Sequence, residues 1–192
     1  MKKLNLILSL ALVTGLFVLC SCEKEDDPMD PMPPEMTSIA DIAAGDANFS
    51  ILVEALAKAN LVNTLSGSGT FTVFAPTNDA FEALFTSLGV SGIADLSAEA
   101  LTPILLYHVL GETKTSSMLS SGYYYSLSPA QGRTLSMYIG IGSNNGVSIN
   151  GSANVTDADI EASNGVIHVI DAVLLPPCLL YTSDAADDNR LV

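Results

Sequence analysis

The sequence has few basic residues, and this scarcity excludes some partners. Its 7 lysines and arginines stand against 21 aspartates and glutamates, which leaves a formal net charge of −14. Phosphate neutralisation by Lys and Arg supplies most of the affinity for nucleic acid and anionic lipid. We therefore predict no nucleic-acid partner, whereas a basic or neutral partner is compatible with the sequence.

Cysteine and histidine are also scarce, which limits the chemistry the chain can do. The 3 cysteines are Cys20, Cys22 and Cys178, so the stretch between them has neither disulfides nor thiolate metal sites. The 2 histidines, His108 and His168, lie on apolar stretches, away from any Ser or Cys that needs a base. No glycine-rich phosphate loop or Gly-x-Ser-x-Gly elbow occurs. We predict no enzyme, no cofactor and no metal site.

Two arrangements of acidic residues remain open. Paired carboxylates leave no local signal, because their proximity in space is not visible in a sequence. The alternating acids Asp157, Asp159 and Glu161 are typical of a calcium loop, but Ala162 and His168 occupy the positions where that loop needs Gly and Glu. We keep a weak surface calcium site as the lesser alternative.

Residues 1–21 predict a secretory signal, with Lys2 and Lys3 ahead of a largely apolar run. The run ends at Leu19-Cys20-Ser21-Cys22, which resembles a bacterial lipoprotein box with Cys22 as the lipidated residue. Cys20 fits less well, because Leu19 is not small. An ordinary signal peptide or a membrane anchor is the alternative, although the run is shorter than the roughly 20 apolar residues that a span needs.

The segments on either side of the predicted domain, residues 37–177, have compositions that cannot form a core. Residues 22–36 are acidic and proline-rich, which predicts a tether, or a plain solvated linker. The acids after Cys22 also resemble signals that send lipoproteins to the cell exterior. Residues 178–192 resemble the translation of a sequencing adapter, so we leave them out of the fold. A further domain after Pro177 then stays open.

The clearest local pattern is a strand-to-helix corner between Thr70 and Leu84. Alternating β-branched and aromatic residues predict a buried strand, which Pro76 stops because it lacks an N–H donor. Thr77 or Asn78 can cap the helix that follows. The polar apex of this corner is either a helix cap or a functional loop, and capping is the favoured interpretation.

Three stretches resemble the signature motifs of the fasciclin domain family. They are FTVFAPTNDAF (Phe71 to Phe81), LLYHVL (Leu105 to Leu110) and NGVIHVIDAVLLP (Asn164 to Pro176). The resemblance implies an α+β fold, in which N-terminal helices pack on a twisted, mostly antiparallel β-wedge. It marks as signature residues, mostly structural, Phe71, Thr72, Phe74, Ala75, Pro76, Thr77, Asn78, Asp79, Phe81, Asn164, Gly165, His168 and Asp171.

The remaining elements follow from periodicity and punctuation. Two helices are expected before the corner, with Gly45 and Asp46 between them. A break or kink is expected at Thr102-Pro103, and the helix after it should run to about Leu110 and stop at Gly111. From Gly122 onward the chain is β-rich, with a turn over residues 143–146 and a last strand, Gly165 to Leu175, that is buried on both faces.

Five residues are candidates for binding. His108 shares a stripe with leucines, which favours a core role, while Tyr107 lies about 100° round the helix and is expected to be partly exposed. The family resemblance associates this Tyr-His pair with adhesion. Three successive tyrosines form either an amphipathic strand or a contact patch. The candidates are Tyr107, His108, Tyr123, Tyr124 and Tyr125.

These observations predict a non-catalytic adhesion or binding module, anchored by lipid at Cys22 and engaging an extracellular or envelope protein or glycan. Its predicted place is the outer membrane, exposed at the cell surface, with the membrane touched only through the anchor. The alternative is a structural protein of the envelope or biofilm matrix that acts by weak self-association through Tyr123 to Tyr125.

Overall fold

The structure is a computed structural model of the chain, and it describes residues 37–130, 133–143 and 146–177. The predicted signal, tether, lipidation site Cys22 and tail lie outside these residues, as do residues 144–145 of the predicted turn. Those features therefore stay predictions. No helix in the described part of the chain is long and apolar enough to cross a membrane.

The N-terminal region contains three short α-helices, where two were expected. They are α1 (Ile39–Gly45), α2 (Ser50–Lys58) and α3 (Val62–Ser66), with a 3-10 turn, Ala47–Phe49, after α1. Asp46 caps that turn as predicted, accepting a hydrogen bond from the amide of Asn48 at 2.9 Å. The extra helix arises because Asn60 adopts a left-handed φ of 56°, which ends α2.

The strand-to-helix corner is confirmed. Strand β1 covers Phe71–Pro76 and helix α4 covers Asn78–Leu88. Thr77 is the N-cap, since its hydroxyl accepts a hydrogen bond from the amide of Ala80 at 3.4 Å. The helix ends at Gly89, whose φ of 68° is left-handed.

The structure has no break at Pro103, because helix α5 runs through it from Ala98 to Tyr107, and the alternative of a kink at Thr102-Pro103 stays a prediction. An interior proline costs about 3 kcal/mol, but Leu101, Ile104 and Leu105 are buried on both sides of it and hold the helix in place. The expected end at Leu110 is wrong. Val109–Leu110 form strand β2, which pairs with β1 through Val73 opposite Val109.

The sheet is a closed barrel of seven described strands, which corrects the predicted wedge. Its strands after β1 and β2 are β3 (Gly122–Ala130), β4 (Arg133–Ile141), β5 (Val147–Ile149), β6 (Ala153–Ala162) and β7 (Gly165–Ile170). Strands β1 and β7 close it in parallel, with Phe71 opposite Gly165, and the other six neighbouring pairs are antiparallel. Two of its seams are short, since β2 and β3 pair at one position and β5 and β6 at two.

Two strands differ from expectation. Strand β6 passes through Asp157, Asp159 and Glu161. The spacing of these acids suggested a calcium loop, and no strand was expected there. Strand β7 ends at Ile170 rather than Leu175, because the side chain of Asp171 turns to accept hydrogen bonds from the amide and side chain of Asn154. The residues within β7 are nearly all buried, as predicted.

Alternation along β1 and β7 divides the apolar residues into two cores. Phe74 and Ile170 point into the barrel, where they meet Tyr107, Met137 and other buried side chains. Their neighbours Val73, Ala75, Ile167 and Val169 point outward and are covered by the helices. The helices therefore cover one side of the barrel, and α5 also packs against β3, where the hydroxyl of Ser128 donates to the carbonyl of Pro103 at 2.9 Å.

Candidate functional site

The described residues contain no cluster of metal-ligating side chains, and the cavity between the helices and the barrel is small. No group of three or more His, Cys, Asp or Glu among them could hold a metal ion. The cavity between the helices and the barrel has a volume of only about 20 Å³ and is lined almost wholly by apolar side chains, with His108 at its wall. It is far smaller than a ligand pocket.

His108 is a core residue that joins two segments. It caps α5, donates from Nδ1 to the carbonyl of Ile104 at 2.7 Å, and accepts at Nε2 from the amide of Leu174 at 2.9 Å. Burial lowers the pKa of His108 to about 4, against the smaller raising effect of the Ile104 carbonyl. The ring is therefore neutral at pH 7, and it is not available to a partner.

His168 is likewise enclosed. Its ring stacks on Phe74 with centroids 5.6 Å apart, and Nε2 donates to the carbonyl of Lys114 at 2.9 Å. Nδ1 lies 3.4 Å from the amide nitrogen of Asp159, so both ring nitrogens face backbone groups. His168 lies on β7, whereas Asp171 follows the end of that strand.

Asp159 holds the loop that follows β2 against β6. Its carboxylate accepts hydrogen bonds from the amide of Ser116, at 2.7 Å, and from the hydroxyl of the same residue. Partial desolvation acts to raise the pKa of Asp159, but the two hydrogen bonds from Ser116, helped by His168, bring that pKa below its usual value. Asp159 thus serves the fold here.

Tyr107 is buried, which corrects the expected partial exposure. Its side chain is 2 % exposed because α5 turns it into the barrel. The hydroxyl donates to the carbonyl of Ser136 and accepts from the amide side chain of Asn150, each at 3.0 Å. It lines an open groove of about 540 Å³, which we call the Tyr107 groove, whose other lining residues are Ser136, Asn150, Ser152, Val173, Leu175 and Pro177.

Several signature residues make hydrogen bonds that hold distant segments together. Thr72 donates to the carbonyl of Glu112 at 2.6 Å and accepts from the amide of Lys114 at 2.8 Å. Asn78 accepts from the amide of Ile51 at 3.1 Å and donates to the carbonyl of Ala47 at 2.9 Å. Both residues tie segments 27 or more positions apart, which assigns them to the fold.

Asn164 and Gly165 fix the point where the helices meet the barrel. The side chain of Asn164 accepts from the amide of Ile39 at 3.0 Å and donates to the carbonyls of Leu65 and Gly67 at 2.6 and 3.0 Å. Gly165 has a φ of 153°, and a Cβ there would lie 2.0 Å from the carbonyl oxygen of Phe71. Only glycine fits this position.

The exposed candidates lie on the outer wall of the barrel. Tyr123 and Tyr125 are 74 % and 72 % exposed on β3, whereas Tyr124 points inward and exchanges hydrogen bonds with the backbone of Ser120. Tyr138, 42 % exposed on β4, lies opposite Tyr123, with ring centroids 5.3 Å apart in an edge-to-face arrangement. We call Tyr123, Tyr125 and Tyr138 the tyrosine face.

The structure thus separates the five candidates and adds one. Tyr107 and His108 are enclosed, Tyr124 faces the barrel, and Tyr123 and Tyr125 are exposed. Tyr138 was missed, because its place opposite Tyr123 depends on the register of the β3–β4 hairpin. Asn150 links the tyrosine face to the Tyr107 groove, since its Oδ1 accepts from the amide of Tyr138 at 2.8 Å.

Comparison with known proteins gives consistent results. A family model, described as Fasciclin domain, matches residues 47–176. Protein sll1483 of Synechocystis sp. is 45% identical over 140 residues, covering 73% of this chain and 74% of that protein. Transforming growth factor-beta-induced protein ig-h3 of Sus scrofa is 41% identical over 150 residues. That match covers 78% of this chain but 21% of the relative, so the chain spans about a fifth of its length.

The fold has a counterpart among solved structures. A domain pair from the insect cell adhesion molecule fasciclin I matches with a TM-score of 0.59 and 22% identity, covering 72% of this chain and 51% of that one. At this identity the likeness concerns the fold alone. Domains of this kind are adhesion-related extracellular modules. On the matched family model and the relatives that cover most of its length, the chain belongs to the fasciclin domain family.

Proposed function

We propose that the protein is a non-catalytic adhesion module that engages an extracellular or envelope protein or glycan through the tyrosine face. The observation that carries this proposal is the exposure of Tyr123, Tyr125 and Tyr138 together on one wall of the barrel. Tyrosine offers a large, rigid, amphipathic contact area and is enriched at binding hot spots. The enclosed Tyr107 and His108 support the fold beneath that wall.

A binding panel tests the proposal. The full chain, purified in a mild non-ionic detergent, is passed over immobilised matrix proteins and glycans beside its Tyr123→Ser/Tyr125→Ser variant. The matched control is Leu88→Ser, which removes another exposed hydrophobic side chain, 49 % exposed at the end of α4. Saturable binding that the double variant loses and the control keeps is expected. Absence of saturable binding by the folded wild-type chain across the panel would refute the proposal.

We also propose that a lipid at Cys22 holds the module on the outer membrane, facing the cell exterior. The lipoprotein-like box and the acidic residues after it support this assignment. Metabolic labelling with palmitate should disappear in Cys22→Ala and persist in Cys20→Ala. Protease added to intact cells should then release the domain, and protection of the domain until the outer membrane is opened would place it on the periplasmic side.

Self-association is the second candidate, and the same exposed tyrosines favour it. Two tyrosine faces packed together would bury the apolar rings that now contact solvent. Sedimentation of the full chain over a hundredfold concentration range distinguishes the two functions. A dimer lost in Tyr123→Ser/Tyr125→Ser would favour the structural role, while a strictly monomeric chain would count against it.

A further inference from the structure

The tyrosine face lies in the part of the chain that is almost free of charge. Residues 116–156, which form β3 to β5 and the start of β6, contain a single Lys, Arg, Asp or Glu, namely Arg133. Residues 37–177 as a whole hold twelve acids and three basic residues, so the acids are concentrated elsewhere. Arg133 is five residues from Tyr138 along β4 and three from Ser136, which lies opposite Tyr125, or about 17 Å and 10 Å at the usual strand rise. The face therefore has no acidic residue and a single basic neighbour, on an otherwise acidic protein.

The residues around the tyrosine face are polar but uncharged. Ser121, Ser136, Ser148 and Asn150 lie on or beside β3 to β5, close to Tyr138 in the register of the sheet. Tyrosine combined with Ser, Gly and Asn is the composition of antibody binding surfaces, in which rigid rings give contact area and small polar groups give hydrogen bonds. Such a surface suits a ligand with both apolar patches and hydroxyl groups.

We infer that the tyrosine face binds an uncharged polysaccharide, an inference that rests on the adhesion function proposed above. Sugar rings offer apolar C–H faces to tyrosine rings and hydroxyls to serine and asparagine. Tyr123 and Tyr125 emerge from the same side of β3, about 7 Å apart, so an extended chain lying along the strand meets both rings. The acidic remainder of the protein repels polyanionic glycans, which leaves the neutral ones.

The geometry disfavours a peptide partner at this face. An extended peptide usually binds by adding a strand to an open sheet edge, whereas the exposed tyrosine rings project from the face of the sheet. A basic protein would find no acidic side chain between residues 116 and 156 to pair with its charges. A neutral polysaccharide needs neither an edge nor a counter-charge.

The site is also preorganised. The ring of Tyr138 packs edge-to-face on that of Tyr123, which restricts both side chains before any ligand arrives. Ordering of exposed side chains is one of the costs of binding, so a ring already held in place lowers that cost. Tyr125 has no such ring contact and is expected to contribute less than Tyr123.

Native electrophoresis in gels that contain a polysaccharide tests the inference directly. The full chain, in a non-ionic detergent, migrates because its net charge is −14, while an uncharged polysaccharide stays in place and retards whatever binds it. The probes are glucomannan and dextran as neutral polymers and alginate as a polyanion. Retardation by at least one neutral polymer and none by alginate is expected.

Variants test whether that retardation depends on the tyrosine face. Tyr123→Ala/Tyr125→Ala should weaken the affinity at least tenfold, whereas Tyr123→Phe/Tyr125→Phe should keep it within about threefold because the rings remain. Leu88→Ala is the matched control and should bind as the wild type does. Thermal melting checks that every variant is folded, which the exposure of both tyrosines favours.

The outcomes separate this inference from the function on which it rests. Failure of both neutral polymers to retard the folded chain, equal retardation by alginate, or binding that survives the double Ala variant would each overturn it. If the chain instead binds a protein of the panel through Tyr123 and Tyr125, adhesion stands and the polysaccharide is rejected. If it binds nothing, both fail. A dimer abolished by the double variant would assign the face to a second copy of the chain.

Discussion

At the residue scale, Asn164 joins three parts of the fold, because its one buried side chain connects α1, α3 and the β6–β7 turn. Replacing it with Ala removes three hydrogen bonds and leaves the amide of Ile39 and the carbonyl of Leu65 without partners. We expect Asn164→Ala to lower the free energy of unfolding by about 3 kcal/mol. Chemical denaturation measures the change, and the exposed Asn48→Ala should cost less than about 0.5 kcal/mol. Equal effects of the two variants would contradict this role.

Gly165 is a second residue whose identity is set by its surroundings. A methyl group there would meet the backbone of Phe71, which is held in the ladder between β1 and β7 and cannot move aside. Gly165→Ala should therefore lower the free energy of unfolding by more than about 3 kcal/mol, or prevent folding. Gly45→Ala, where a Cβ meets nothing within 4 Å, is the control and should be neutral. Wild-type melting of Gly165→Ala would show that the close approach is not real.

His108 makes the stability depend on pH. Its pKa is about 4 when folded and 6.5 when exposed, so the unfolded chain binds the extra proton between these values and stability falls as pH is lowered from 6.5 towards 4. The loss between pH 7 and pH 5 from this residue is about 2 kcal/mol. His108→Gln should be less stable at pH 7 but lose about 2 kcal/mol less on acidification, as measured by denaturation at both pH values. Parallel losses in the two proteins would argue that His108 is not buried as a neutral ring.

At the scale of elements, the parallel pair β1 and β7 is the part of the barrel that should open last. Its residues are nearly all buried, and it separates the two cores. Hydrogen exchange followed by mass spectrometry should show the slowest amides in Phe71–Ala75 and Val166–Ile170. The amides of α1, which has only three buried residues, provide the comparison and should exchange sooner. Faster exchange in β7 than in α1 would contradict this order.

How much of these elements the sequence could predict depends on how local their causes are. The corner from β1 to α4 was predictable because Pro76 and Thr77 act on their own neighbours. Strand β2 was not, since its two residues are strand only through pairing with β1, more than 30 residues earlier. The continuity of α5 through Pro103 was missed for a related reason, because tertiary packing overrides a local breaker.

The same distinction applies to the candidate site. Three adjacent tyrosines were visible in the sequence, and their alternation forced at least one of them outward. Tyr138 entered the face only through the register of the β3–β4 hairpin, which the sequence did not fix because the turn signals around residues 131–132 are weak. Tyr107 lies off the leucine stripe of α5, but that side of the helix faces a second core inside the barrel, which the helix periodicity could not show.

At the scale of the whole molecule, charge repulsion works against the fold. Residues 37–177 hold twelve acids and three basic residues, and in the described residues Lys58 and Lys114 are already engaged, the former with backbone carbonyls and the latter with Glu112. Sodium chloride should therefore raise the melting temperature between 0.02 and 0.3 M, roughly the range in which the Debye length falls below 10 Å. Sucrose at equal osmolality is the control for a general effect of solute. A melting temperature that falls with salt would show that ion pairs, rather than repulsion, dominate.

The attachment of Thr37 and Ile39 has a mechanical consequence. The carbonyl of Thr37 accepts from the amide of Ser163, and the amide of Ile39 donates to the side chain of Asn164, each at 3.0 Å. If the module is anchored at Cys22 as proposed, pulling forces reach the domain at these two bonds and then at α1. Helix α1 would detach first and lengthen the tether, while the barrel stays folded. Under shear flow, the link between the cell and its partner would therefore lengthen before the bond to the partner broke.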